Sequence, residues 1–325
     1  MYDFLNDALF PKFRKFVSED YSSYTAIYKK YFAPHADISP ANLLEWLDID
    51  DTLEISRLDD AIILKYNNPF EDNDINYLIL EPVVSKDHIQ KVYKHAGIDS
   101  RCIIREQPKL LVEHLENDSD LVLAPNRTSN EYILDVNQHA SVEGTEFYRQ
   151  RYEVRAFERI YSGRVLSLEV IQTATKDHKS LLSNLLGTWQ LTANIANSLK
   201  DNREREAIER AIESLNFLNR PVAILFLDDQ PVAFALFATY GDTAIVGHVK
   251  VDYDFPFIFN YMVHRLAKHF AKGSIRFINF EQDLGIDGLR AHKRRLRPIR
   301  MIEKVDITLR AKGSRSADNQ SDPAS

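Results

Sequence analysis

The chain has 325 residues, 44% of them apolar and 27% charged, which is enough apolar material to build cores for two domains of ordinary size. Its formal net charge of −7 argues against a protein that coats nucleic acid without specificity. The single cysteine, Cys102, excludes an internal disulfide and a cysteine-built zinc cluster, and within the strand-like run RCIIRE it reads as a small core residue. The opening MYDFLNDALFPKFRKF is broken by Asn6, Asp7, Pro11, Lys12, Arg14 and Lys15. No apolar run there reaches the length of a signal core or a membrane span, so a cytoplasmic chain is expected.

Residues 1–33 carry aromatics at mixed helical spacing (Phe10, Phe13, Phe16, then Tyr21, Tyr24, Tyr28) among Lys and Arg. This predicts two helices packed on a first domain, while an aromatic and basic stripe that touches nucleic acid or a membrane surface is the other reading. Ser39-Pro40 opens a helix with Leu43, Leu44, Trp46 and Leu47. From Leu53 the period falls to two: LEISRLDD and AIILKYN form a hairpin joined at Asp59-Asp60, and INYLILEPV follows. A helix from Lys86 to His95, the strand CIIRE, a helix around Leu110 to Leu115 and the strand LVLAP complete an α+β unit that ends near Ala140, with 1–142 as the first lobe.

Glu143 to Tyr161 reads as one connecting helix. Arg151, Arg155 and Arg159 recur every fourth position beside Tyr148 and Tyr152, a face suited to phosphate contacts and base stacking; Glu153 and Glu158 leave a merely solvated helix as the alternative. The second lobe, 162–310, starts with RVLSLEVI and continues with a helix from His178 to Leu199 bearing Trp189 and the amphipathic REREAIERAIESLNFL. Three strands in AILFLDDQPVAFALFATYGDTAIVGHVKVD then form a meander, its first turn at Asp228-Asp229. In the next helix His264 and His269 stand five apart, off a common face, so no metal site is expected. The tail 311–325 lacks apolar anchors and reads as disordered.

Before that tail, an apolar strand delivers Glu281 and Asp283 to its own end, Gly285 turns the chain, and Asp287 caps a short helix that ends at Pro298. Arg290, Lys293 and Arg297 share a face of it. From Arg290 to Arg300 there are six Lys/Arg and no carboxylate, so the helix is either an anion-binding patch or a solvated face.

The pattern N-x-E-x-D-L-G-I-x-G-L-R from Asn279 to Arg290, with Lys293 and Arg297-Pro298 behind it, resembles the signature near the end of the bacterial DUF2156 proteins. That family shares its fold with the C-terminal synthase domain of phosphatidylglycerol lysyltransferase and, more distantly, with the Fem peptidoglycan aminoacyltransferases. The resemblance extends from SPANLLEW to about Leu309 and implies an α+β fold of two tandem GNAT-like acyltransferase lobes, with mixed, mostly antiparallel sheets flanked by helices. It also implies an aminoacyl-tRNA-dependent aminoacyltransferase acting on a hydroxyl or amine of a phosphatidylglycerol-type lipid head group or cell-envelope precursor, with peripheral membrane contact. The alternatives are an acyl-CoA-dependent N-acyltransferase and a non-catalytic tRNA-binding module on the same scaffold.

On the resemblance, Glu281, Asp283 and His248 are the candidates to take the acceptor's proton. Lys250, Arg290, Lys293 and Arg297 would neutralise the tRNA end and an oxyanion, and Tyr148, Arg151, Arg155, Asp252 and Asn279 would bind substrate. Two positions depart from the family pattern: Val249 stands where it has glutamate, and Phe280 where it often has arginine. Acetyl-CoA enzymes of GNAT type grip pyrophosphate with a glycine-rich turn, whereas 250–257, KVDYDFPF, has no glycine and two carboxylates after its lysine. The donor implied is therefore aminoacyl-tRNA, with no cofactor.

Overall fold

The computed structural model describes residues 3–67, 75–97, 103–193 and 199–310; Cys102 and the 311–325 tail lie outside the described residues, as does the 194–198 part of the helix expected to reach Leu199. The first half of the chain contains β1 (Arg14–Lys15), α1 (Asp20–Tyr31), α2 (Pro40–Asn42) running into a π-helical turn at Leu43–Leu47, β2 (Glu54–Leu58), β3 (Ala61–Asn67), β4 (Ile75–Leu80), α3 (Lys86–Ala96), β5 (Ile104–Pro108), β6 (Leu121–Pro125), β7 (Glu131–Asp135) and α4 (Val136–Ser141). The second half contains α5 (Tyr148–Ile160), β8 (Leu166–Ile171), α6 (Lys176–Thr192), α7 (Leu199–Ser214), β9 (Val222–Leu227), β10 (Gln230–Tyr240), β11 (Thr243–Val251), α8 (Ile258–Phe270), β12 (Phe277–Asn279), α9 (Asp287–Arg295), β13 (Arg300–Ile302) and β14 (Lys304–Leu309).

Only one of the two helices expected before residue 33 forms. Phe10 and Phe13 instead lie in a loop, their rings edge-on to each other and both against His95, so their spacing reflects docking on the first lobe rather than a helical face. The helix expected around Leu110 is two 3₁₀ turns, 109–111 and 113–115. The meanders form as read, on tight loops: β9 and β10 join through Asp228-Asp229, with Asp228 at φ 55°, and β10 and β11 through Gly241-Asp242, with Gly241 at φ 60°.

The strands make two seven-stranded sheets, β1-β2-β3-β4-β5-β14-β6 and β13-β7-β12-β11-β10-β9-β8. Each is built on the same unit: three antiparallel strands, a helix, then a strand parallel to the third (β2-β3-β4-α3-β5 and β9-β10-β11-α8-β12). These are tandem GNAT-like lobes. Sheet membership, however, does not follow chain order: β7, read as part of the first lobe, lies in the second sheet between β12 and β13, and β14, from the far end, lies in the first between β5 and β6. The crossing is held by buried charge. Lys304 at the start of β14 forms an ion pair with Glu131 at the start of β7, at 2.7 Å, and another with Asp37, also at 2.7 Å.

The run VAFALF of β10 is apolar at every position because both faces of the second sheet are covered. Ala235 and Phe237 face α5 and α8 with Phe157, Val263 and Leu266; Phe234 and Leu236 face α6 and α7 with Leu182, Ile208 and Ile212. The first lobe packs on the second through Tyr28, edge-on to Tyr240 at 4.8 Å, and through Ile245 of β11, which sits in the first lobe's core. This contact brings α2 and its π turn over the middle of β11.

Candidate active site between the lobes

β11 and β12 pair in parallel over three positions only, Thr243 to Ile245 against Phe277 to Asn279. β11 then continues to Val251, while the other chain turns away at Glu281, whose φ is 55°. The strands part and leave a wedge. Gly247 lies at its throat, skipped in the β10–β11 register, so it forms a β-bulge. A Cβ there would lie 3.0 Å from Arg220 Nη2 and 3.1 Å from Glu281 Oε1, so only glycine leaves both side chains where they are.

The first lobe closes the wedge. Ser39 caps α2 by accepting from the Asn42 N–H, and the π turn that follows drives Glu45 inward until it is wholly buried. Glu45 forms an ion pair with Arg220, which stands just before β9, and its Oε2 lies 3.0 Å from His248 Nε2. Burial pulls the Arg220 guanidinium down to about 10 even though Glu281 and Tyr240 favour its charge, and its Nε has no partner among the described residues. Burial, helped by Arg220 and Lys250, drives His248 well below its ordinary range, so it stands neutral with Nε2–H donated to Glu45. Lys250, two residues along β11, has its Nζ 2.6 Å from Glu204 of α7 and 3.8 Å from the Trp189 ring centre; burial lowers its pKa and Glu204 resists.

Glu281 and Asp283, two residues apart, have opposite environments. Burial raises the Glu281 carboxyl, against the pull of Lys293, Arg220 and a hydrogen bond with Asn42, and its Oε1 is shut from solvent without a partner among the described residues. Burial also works against ionised Asp283, but Arg290, the Tyr132 hydroxyl and the Gly285 N–H outweigh it and hold the group at about 2. Its carboxylate accepts from Tyr132 at 2.6 Å, Gly285 N at 3.0 Å, Arg127 at 3.0 Å and Arg290 at 3.1 Å. A carboxylate so occupied is a strut between β7 and α9, not a base.

The cations of the signature helix likewise turn inward. Lys293, pulled by burial to about 8, gives its ammonium to the backbone carbonyls of Phe280 and Gln282, which holds the segment carrying Glu281. Arg290 is spent on Asp283. Arg297 lies past the helix, exposed, at φ 57°. α9 starts at Asp287 with Ile286 as its N-cap and ends at Arg295, ahead of Pro298. Asn279 is buried, donating to Pro34 O at 2.9 Å and to Glu131, and accepting from the Glu281 N–H at 2.9 Å. Asp252 is also buried and shapes the turn before α8. Arg151 closes the end of α4 by donating to Val142 O at 2.7 Å and Gly144 O at 2.9 Å, whereas Tyr148 and Arg155 remain exposed on α5.

Glu281 and His248 thus both face Arg220 in the wedge, with Lys250 two residues further along β11 on Glu204 and Trp189; Asp283, Arg290, Lys293 and Asn279 form its frame, and Tyr148, Arg151, Arg155 and Arg297 lie outside it. The sequence reading passed over Glu45, Arg220 and Gly247. Glu45 left a trace, a lone carboxylate within the apolar LLEWL; Arg220 left none beyond a cation set directly before Pro221 and a buried strand.

The family model described as phosphatidylglycerol lysyltransferase, C-terminal, matches residues 101–305, well over half of the chain. Among solved structures, a conserved protein of unknown function from Bacteroides thetaiotaomicron is 22% identical with a TM-score of 0.78, over 92% of this chain and 99% of that one. The C-terminal domain of a putative lysylphosphatidylglycerol synthetase from Agrobacterium fabrum is 14% identical with a TM-score of 0.60, over 89% and 91%. L-PGS from Bacillus licheniformis is 12% identical with a TM-score of 0.59, over 91% and 93%. No curated protein matches. At these identities the structures show the fold alone, and it is the family model, which spans β5 to β13 and includes Arg220, Gly247, His248 and Glu281, that decides membership: the chain belongs to the family of phosphatidylglycerol lysyltransferase C-terminal domains.

Proposed function

We propose that this chain is an aminoacyltransferase that moves an amino acid from the ester of an aminoacyl-tRNA to a hydroxyl or amine of a phosphatidylglycerol-type lipid or a cell-envelope precursor. The observation that carries this reading is the wedge, where two residues of the family-matched segment meet: Glu281, a carboxyl raised by burial whose Oε1 has no partner among the described residues, stands beside the buried cation Arg220. Glu281 takes the proton of the acceptor as its oxygen or nitrogen attacks the ester carbonyl. Arg220, held by Glu45, stabilises the oxyanion, and the ribose oxygen leaves with the proton returned from Glu281. A buried guanidinium is fixed before the charge develops, so little reorganisation accompanies the step.

The turn before α8 supports a donor other than acyl-CoA. The N–H of Asp252 is given to Val232 O, that of Tyr253 to Thr192 Oγ1, that of Asp254 to Asp252 Oδ1 and that of Phe255 to Asp252 O, and residue 256 is proline. Backbone donors that would cradle a pyrophosphate are already engaged, and Asp252 and Asp254 add like charge. Among the described residues no helix is long and apolar enough to cross a membrane. The encounter with lipid in this reading is peripheral, at the surface of the bilayer.

The test is incubation with a pool of charged tRNAs and a lipid extract, read by mass spectrometry. An aminoacylated lipid or precursor is the expected product. Calorimetric binding of acetyl-CoA with no consumption of charged tRNA would replace this reading with an acyl-CoA-dependent one.

A further inference from the structure

A second concavity, of about 310 Å³, lies between α5, α8 and α9, past the end of β11. Its floor and walls are Phe255, Phe257, Ile258, Phe259 and Leu296, and its rim carries Arg149 and Arg295, both exposed. Polar wall groups are mostly paired: Glu153 accepts from Arg149 Nε at 2.8 Å and from the Asn260 amide. Gln150 differs. It is 6% exposed and gives its Nε2 to the Arg295 carbonyl, while its Oε1 has no partner among the described residues. A buried amide oxygen left unpaired costs about 1–3 kcal/mol, a cost that a ligand donor removes. Oε1 is closed from solvent, so the donor of a bound ligand reaches it only by displacing the side chains that cover it.

Flat apolar walls, one buried acceptor and two cations at the mouth describe a phosphate-bearing heteroaromatic with an exocyclic amine. Outside the cleft the same chemistry continues along α5: Tyr148, Tyr152, Arg155 and Arg159 share an exposed face, and Tyr152 meets Phe257 edge-on at 6.0 Å. The cleft is one turn of chain, 252–257, from Lys250 in the wedge.

We infer that this cleft binds the 3′-terminal adenosine of an RNA, its ring among Phe255, Phe257 and Phe259, its amine donated to Gln150 Oε1 and its phosphates on Arg149 and Arg295, so that the attached ester enters the wedge. The inference rests on the aminoacyl-tRNA reading above. A lipid head group offers no ring for these walls and no amine fixed to a plane.

The discriminating probes are AMP and IMP, which differ in that amine, titrated calorimetrically into the full chain beside inorganic phosphate and phosphatidylglycerol vesicles. AMP should bind about tenfold more tightly than IMP, and both more tightly than phosphate. Gln150→Leu should erase the AMP preference. Phe257→Gly, which keeps the left-handed backbone at φ 67° and removes the ring, should weaken AMP and IMP alike by about tenfold. Equal binding of AMP and IMP to the unmodified chain would overturn the inference, as would vesicle binding that Phe257→Gly abolishes in a protein indifferent to nucleotides. If charged tRNA is consumed and AMP is not preferred, the cleft assignment fails and the transferase reading stands. If AMP is preferred and no charged tRNA is consumed, the cleft stands as a nucleotide site and the transferase reading fails.

Discussion

Glu281 and Asp283 can be separated by one pair of substitutions. A carboxyl moved from 3.8 to about 2 has its ionised form favoured by about 2 kcal/mol in the folded chain, and the Asp283 side chain is fully buried, so little of that is lost to solvent screening. Asp283→Asn removes this and turns an amide donor toward Arg127, Arg290 and Tyr132, which are themselves donors. The expected result in urea unfolding at pH 7 is a loss of about 2 kcal/mol or somewhat more, while folded protein keeps turnover within about tenfold. Because the folded pKa lies below the unfolded one, the contribution is complete above about pH 4 and disappears as the pH falls through 2; the variant's deficit must shrink over that window. Glu281→Gln should do the reverse. A neutral isostere replaces a buried, half-satisfied carboxylate, so stability holds or rises, while turnover falls about a hundredfold or more with the loss of the base. The unmodified rate should climb as pH rises through the raised Glu281 pKa, and that acid limb should vanish in the variant. If Asp283→Asn abolished turnover at an unchanged urea midpoint, or Glu281→Gln kept full activity, the assignment of strut and base would be reversed.

Gly247→Ala sets a methyl 3.0 Å from Arg220 Nη2 and 3.1 Å from Glu281 Oε1; both are side-chain ends that can yield, so the thermal midpoint should move by only a few degrees while turnover drops about tenfold or more. Glu45→Gln strands the buried Arg220 and should cost about 3 kcal/mol in urea together with turnover, whereas adding Arg220→Met should recover stability and leave turnover lost. Lys304→Met leaves Asp37 and Glu131 buried without their cation, an expected loss of about 3–5 kcal/mol at pH 7. That loss should lessen as pH falls, because unpaired buried carboxyls are stable when protonated, and Glu131→Gln should restore part of it.

Local pattern carried the second meander, since β9 to β11 are bounded by turn residues with the conformations those residues favour, and it carried the strand, turn and helix of the signature. What it could not carry is which groups a face meets. Arg290 and Lys293 recur at helical spacing and were read as cations offered to a phosphate; in the fold that face looks onto Asp283 and onto the carbonyls of Phe280 and Gln282. EYILD alternates as a strand should, but alternation does not name the sheet, and β7 pairs with β12 and β13 rather than with its chain neighbours. Glu45 and Arg220 come from different lobes, so no local window contains their interaction. The connecting helix and the basic helix do share a cleft, but it is lined by Arg149, Gln150, His292 and Arg295, and none of Arg151, Arg155, Arg290, Lys293 and Arg297 lines it.

The exchange of β7 and β14 bears directly on how such a site could work. If each lobe were a closed chain segment, residues 143–161 would be a hinge and Glu45 could swing away from Arg220 with its lobe. Here each sheet contains a strand belonging to the other half of the chain, and the two visitors meet at the Lys304–Glu131 pair, buried on both sides. Separating the lobes would require unzipping β14 from β5 and β6 or β7 from β12 and β13, with the backbone hydrogen bonds of two ladders and a buried charge exposed together. The first lobe is therefore fixed as a wall of the wedge, and Glu45 holds Arg220 in one place before substrate arrives. Catalysis by a preorganised cation requires that fixity, since a guanidinium free to follow the ground-state carbonyl would favour the oxyanion less. Motion needed for substrate entry must then come from side chains and short turns around α5, α8 and α9, where the cleft with its exposed rim arginines lies, rather than from opening of the two lobes.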